Sequence, residues 1–146
     1  MAMASEGPID LISLEGEGNS VIVRITGRRS AQDPPRTDAL VGEILVDTAF
    51  VRGSIATWIF PEDLTEWQEA LDALDCGADV VWREDERTTE VLISRDPDGE
   101  RAHVTIADRS MSLTTVTVTV ALADAWFDDA YHRLDQVRKA WPSEGA

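Results

Sequence analysis

The chain has a single cysteine, Cys76, among its 146 residues, so no disulfide can form within it and its core must hold without covalent staples. It also has a single lysine, Lys139. Its thirteen basic residues face twenty-eight acidic ones, a formal net charge of −15. Such a surface repels nucleic acid phosphates and anionic membranes, and it speeds encounter with basic proteins. No apolar run approaches the length of a membrane span. The stretch from Met1 to Gly7 lacks the basic region and apolar core of a secretory signal. These absences lead us to expect a cytoplasmic protein with no nucleic acid or membrane partner.

The residues that usually carry chemistry are also scarce. The two histidines, His103 and His132, lie far apart, and no Cys or His pair has zinc spacing. Asp96-Pro97-Asp98-Gly99 is explained as a turn, not as the start of a calcium loop. There is no Gly-x-Ser-x-Gly elbow and no Walker sequence. Gly16-Glu17-Gly18 sits between two strands, where a dinucleotide fingerprint needs a strand followed by a helix. No metal, cofactor or catalytic residue is therefore assigned. An enzyme would need His103 and at least one carboxylate to converge in a cleft.

What the chain does have is periodicity. With 43% hydrophobic residues it is composed like a globular domain. Alternation predicts strands over Ile9 to Leu14, Val21 to Thr26, Val41 to Asp47 and Ser54 to Phe60. Further strands are predicted over Val80 to Arg83, Glu90 to Arg95, Arg101 to Ala107 and Leu113 to Val120. Gly16-Glu17-Gly18-Asn19 reads as a hairpin turn, Ala49 to Val51 as the place of a bulge, and Arg28 to Asp38, with Pro34-Pro35, as an exposed loop.

Two helices complete the pattern. The first opens at Pro61 with Leu64, Trp67, Leu71 and Leu74 on one stripe, and Gly77 stops it. Cys76, near its end, is expected to be a small buried side chain. The second is expected to open at Asp124 as N-cap, with Trp126, Ala130, Leu134, Val137 and Trp141 on its stripe and Pro142 as its stop. The fold class is α+β: about eight strands in one or more curved antiparallel sheets, ordered strands, helix, strands, helix. The two halves share periodicity and not residue identity, so a pseudo-repeat is only suggested. Residues 1–8 and 143–146 read as tails around a single domain, 9–142.

The most distinctive surface is that of the first helix. From Glu62 to Asp79 there are seven acids and no Lys or Arg. Like charges three and four residues apart destabilise a helix slightly. Glu62, Asp63, Glu66, Glu69 and Asp72 are therefore the candidate contacts for a basic partner, against the plainer reading of a solvated face. Of five tryptophans, Trp67, Trp126 and Trp141 fall on helix stripes and are expected in the core. Trp58 and Trp82 lie on strands, where either could instead mark a ligand patch.

Three segments carry a resemblance: Phe60-Pro61-Glu62-Asp63-Leu64-Thr65-Glu66-Trp67, Asp108-Arg109-Ser110-Met111-Ser112 and Ala125-Trp126-Phe127-Asp128-Asp129-Ala130-Tyr131. On these the chain resembles, from Ile9 to Pro142, a family of small acidic actinobacterial proteins known only as a domain of unknown function. The element order is more distantly similar to WapI-type immunity proteins, in which an aromatic and a Leu recur on the corresponding helix, like Leu64, Trp67 and Leu71. The resemblance implies a fold and, through the immunity proteins, occlusion of a toxin-like partner; it transfers no catalytic residues. The expectation is a non-enzymatic acidic protein-binding domain. The alternatives are a small-ligand or peptide module on a concave sheet face, and an enzyme using carboxylates with His103.

Overall fold

A computed structural model describes residues 7–29, 39–83, 89–109 and 111–142. The chain runs β1 (Ile9–Gly16), β2 (Asn19–Arg29), β3 (Ala39–Asp47), β4 (Arg52–Ile59), α1 (Pro61–Asp75), β5 (Val80–Trp82), β6 (Thr89–Arg95), β7 (Arg101–Asp108), β8 (Thr115–Ala121) and α2 (Trp126–Ala140). Strands pair strictly with their neighbours in sequence, all antiparallel, in two four-stranded meanders: β1-β2-β3-β4 and β5-β6-β7-β8. Each meander feeds one helix, so the two halves repeat one plan on two sheets. This settles the order strands, helix, strands, helix. The exposed loop expected at Arg28 to Asp38 falls largely outside the described residues, except that Arg28 and Arg29 extend β2.

Short connections dictate the meanders, because a tight turn can return the chain only antiparallel. The β1–β2 turn holds Glu17 and Gly18 at φ 56° and 86°. It is Glu17, then, and not Asn19, that shares the left-handed conformation with glycine, which tolerates it without steric penalty. The β3–β4 turn is tied by Thr48, whose Oγ1 accepts from the N–H groups of Phe50 and Val51 at 3.0 and 2.8 Å. No bulge is needed there. The register instead slips between Asp10 and Ile12, and between Ile25 and Gly27.

Alternation then sorts side chains by face. Val21, Val23 and Ile25 are buried on β2, while Thr26 is exposed. On β8, Val118 and Val120 are buried and Thr115, Thr117 and Thr119 face solvent. β8 runs against β1 and β2, and α2 lies on β1. Three bonds fix that seam, one of them from Arg133 Nη1 to the Asp10 carbonyl at 3.2 Å. Trp126 Nε1 donates to the Ser13 carbonyl at 2.8 Å, and Asn19 Nδ2 donates to the Thr119 carbonyl at 2.8 Å. Gly16 is required at the seam, because a Cβ there would lie 2.7 Å from the Ala121 carbonyl oxygen.

α1 begins where Pro61 needs no N–H partner and where Asp63 Oδ2 accepts the Phe60 N–H at 2.9 Å. It ends in two bonds that satisfy orphan carbonyls: Gly77 N–H to Leu74 O and Ala78 N–H to Ala73 O, with Gly77 at φ 98°. Arg95 adds a second donor to the Leu74 carbonyl, at 2.8 Å. The stripe Leu64, Trp67, Leu71 and Leu74 is buried, and the Trp67 ring lies 5.5 Å from that of Trp82. Trp126, Leu134, Val137 and Trp141 are likewise buried.

Three expectations are corrected. Cys76 is exposed, because it caps α1 at the surface instead of continuing the stripe. Asp124 does not cap α2; Ala125 holds that position without a side-chain bond. β8 starts at Thr115 and not Leu113, because Leu113 sits at φ 56° and cannot continue a strand.

Candidate functional site

The acidic helix packs beside α2, the two antiparallel, with Tyr131 donating to Asp72 Oδ1 at 2.6 Å and Arg138 to Gln68 Oε1 at 2.6 Å. This arrangement divides the five nominated carboxylates. Asp63 is buried and bound to the Phe60 N–H, so it is corrected from a contact to a helix cap. Glu66 is half-buried, with Oε2 accepting the Arg83 N–H at 3.1 Å. Asp72 is exposed but holds Tyr131. Glu62 and Glu69 are exposed and make no hydrogen bond or ion pair with a described residue. Asp75 and Asp79 are exposed beyond them, and the last turn of α1 has no basic residue.

Negative charge thus collects at the C-terminal end of α1, where the helix dipole already disfavours it. The Tyr131 phenol registers the environment. Burial pushes its pKa well above the ordinary value, and the hydrogen bond to Asp72 and the charges of Asp72 and Asp75 push it further.

Sequence reasoning missed Arg83. It is buried at φ 68°, which ends β5 one residue early, and its guanidinium donates to Thr57 Oγ1 (2.8 Å) and the Trp58 carbonyl (3.1 Å). It also stacks 5.3 Å from the Trp82 ring centre. Trp82 is itself fully buried, with Nε1 donating to the Asp63 carbonyl at 2.8 Å, so it is core and not a ligand patch. Trp58 stays 44% exposed on β4.

His103 lies on β7 with Nε2 2.7 Å from Asp96 Oδ1 and Nδ1 2.9 Å from Thr119 Oγ1. It lies on the face that carries the exposed threonines of β8, opposite Thr119. Among the described residues, no three His, Cys, Asp or Glu side chains group as a metal site, and no helix is long and apolar enough to cross a membrane.

Two hollows remain. One, of about 360 Å³, closes the seam between the start of α1 and the end of α2; it is lined by Leu64, Trp141, Arg28 and Arg138, with Arg28 donating to the Pro142 carbonyl. The other, of about 200 Å³, is an apolar cleft between the sheets, walled by Ile44, Val46, Val51 and Ile55 on one side and Ile106 and Val116 on the other.

The turns that bracket the cleft carry Phe50, Met111 and Leu113, exposed by 95, 82 and 77%. Asp108, buried at its edge, organises the β7–β8 loop. Its carboxylate accepts the N–H groups of Met111 (3.2 Å) and Ser112 (2.9 Å) and the Ser112 hydroxyl (2.7 Å). No sequence pattern marked this cleft, because its walls come from four strands of two sheets.

The molecule is an α+β domain of two antiparallel meanders and two helices, with an acidic helical face and an apolar inter-sheet cleft. It belongs to a family of unknown function, DUF5959, whose profile matches residues 9–142. No curated protein matches it in sequence. Among solved structures it is similar to that of the plant transcriptional regulator PBF-2, with a TM-score of 0.53 at 9% identity, over 98% of this chain and 92% of that one. At that identity the likeness is one of fold.

Proposed function

We propose that the protein is a non-enzymatic binding domain whose acidic helical face docks a basic protein and occludes it, in the manner of an immunity protein. The observation that carries this is the state of α1. Glu62, Glu69 and Asp75 are solvent-facing and unneeded for packing, and no Lys or Arg relieves them anywhere in the helix. A helix kept for stability alone gains from compensating cations. Rim charges of one sign accelerate association with a partner of the other. The fold likeness to a transcriptional regulator does not redirect this reading, since a net charge of −15 opposes a phosphate backbone.

The test uses the full chain as bait, in its native form and with Glu62, Glu69 and Asp75 all changed to lysine. A basic protein that is retained by the native bait, eluted by salt and lost by the reversed bait is the expected outcome. Equal retention by both baits at low salt refutes the docking face. A second reading, a small-ligand or peptide module, draws on the apolar cleft of about 200 Å³.

A further inference from the structure

We infer that the hollow between the start of α1 and the end of α2 binds a small organic anion, a monocarboxylate on a flat apolar body. At about 360 Å³ it lies within the usual range for a small-molecule site. Leu40, Leu64 and Trp141, all buried, supply its apolar walls, and the indole of Trp141 favours a flat ligand. Thr65, exposed, lies at its mouth. The charged side chains of the lining are Arg28 and Arg138, both half-buried, and among the described residues no carboxylate lines it. In a chain with twenty-eight acidic and thirteen basic residues, the local sign runs against the whole. The inter-sheet cleft, by contrast, has Asp108 in its wall.

Arg138 selects the ligand. Its neighbours on α2 spend their charge within the helix: Arg133 pairs with Asp129 at 2.6 Å and Lys139 with Asp135 at 3.0 Å, each one turn back. One turn before Arg138 stands Leu134, which offers no such partner. Arg138 Nη1 donates to a neutral amide oxygen, Gln68 Oε1, at 2.6 Å, and the side chain makes no ion pair with a described residue. Its charge is left for an outside anion. Arg28 donates to the Pro142 carbonyl, which fixes a second guanidinium in the same lining. The planar fork of a guanidinium matches a carboxylate through two parallel bonds. Half-burial limits competition from water and strengthens that contact. The net charge of −15 sets the valence, because its long-range repulsion acts about twice as strongly on a dianion such as a phosphomonoester as on a monocarboxylate.

The test is titration calorimetry of the full chain with three probes of one shape: naphthoate, its neutral isostere naphthamide, and the dianion naphthyl phosphate. Naphthoate should bind, with naphthamide about ten- to a hundredfold weaker, the worth of a hydrogen bond to a charged group. That comparison needs no variant. Arg138→Gln should weaken naphthoate by a similar factor and leave naphthamide unchanged. Thr65→Trp, which adds bulk at the exposed mouth and spares the buried walls, should block both, with circular dichroism confirming that each variant is folded. Failure of naphthoate to bind at millimolar concentration overturns the inference. So do equal affinities for naphthoate and naphthamide, or naphthoate binding unmoved in a folded Arg138→Gln. Tighter binding of naphthyl phosphate than of naphthoate overturns it as well, since the site would then select phosphate.

Discussion

Replacing Asp75 by lysine should make the protein more stable and, on the proposed docking role, weaken its hold on a basic partner. Asp75 is the last residue of α1, exposed, with Asp72 one turn before it and no cation in that turn. A misplaced charge at a helix end is worth about 0.3–1 kcal/mol, and a like-charge pair at this spacing a few tenths. Reversing the sign removes both penalties and substitutes favourable terms, about 1–1.5 kcal/mol together at low ionic strength. For a chain of this length that is a rise of about 4 °C in Tm. Scanning calorimetry at low salt measures it, with Asp75→Asn expected roughly midway. In about 1 M salt, where the Debye length is about 3 Å, most of the gain should vanish. A lysine variant that melts no higher than the native chain at low salt would show that α1 is not electrostatically frustrated. Unrelieved charge on α1 would then be no ground for a docking role.

Two other outcomes follow from particular contacts. Tyr131 keeps its proton to higher pH when folded than when unfolded, so its contribution to stability is full below its ordinary pKa near 10 and is lost as pH rises beyond it; denaturant titrations above about pH 9 should show a falling stability whose slope is shallower in Tyr131→Phe. Gly16→Ala should cost about 1–3 kcal/mol in urea unfolding, because the new Cβ meets the Ala121 carbonyl at 2.7 Å, whereas Gly27→Ala, with open space around it, should be neutral or slightly stabilising.

The elements were legible in the sequence to within about three residues wherever periodicity was strong, β2 running furthest past its expected end, to Arg29. α1 opens at Pro61 and stops at Gly77 as read, because a missing N–H and a left-handed glycine are properties of single residues. The departures lie where a distant partner overrides the local signal. Arg83 leaves the strand conformation where its side chain reaches back to Thr57 and Trp58. Cys76 surfaces because the cap, and not the stripe, governs its position. The acidic run was visible as composition, but not which of its carboxylates are committed: Asp63, Glu66 and Asp72 find partners at Phe60, Arg83 and Tyr131.

By itself the sequence determined which segments are strands and helices, which faces turn inward and the sign of the surface, since these rest on periods of two and 3.6 residues and on a count of charges. The tertiary structure alone decided that the halves build two sheets instead of one, that α1 and α2 lie side by side, and that Phe50, Leu113 and the walls from Ile44 to Val116 gather around one cleft. Those features depend on contacts between residues far apart in the chain. Neither periodicity nor composition encodes such distances.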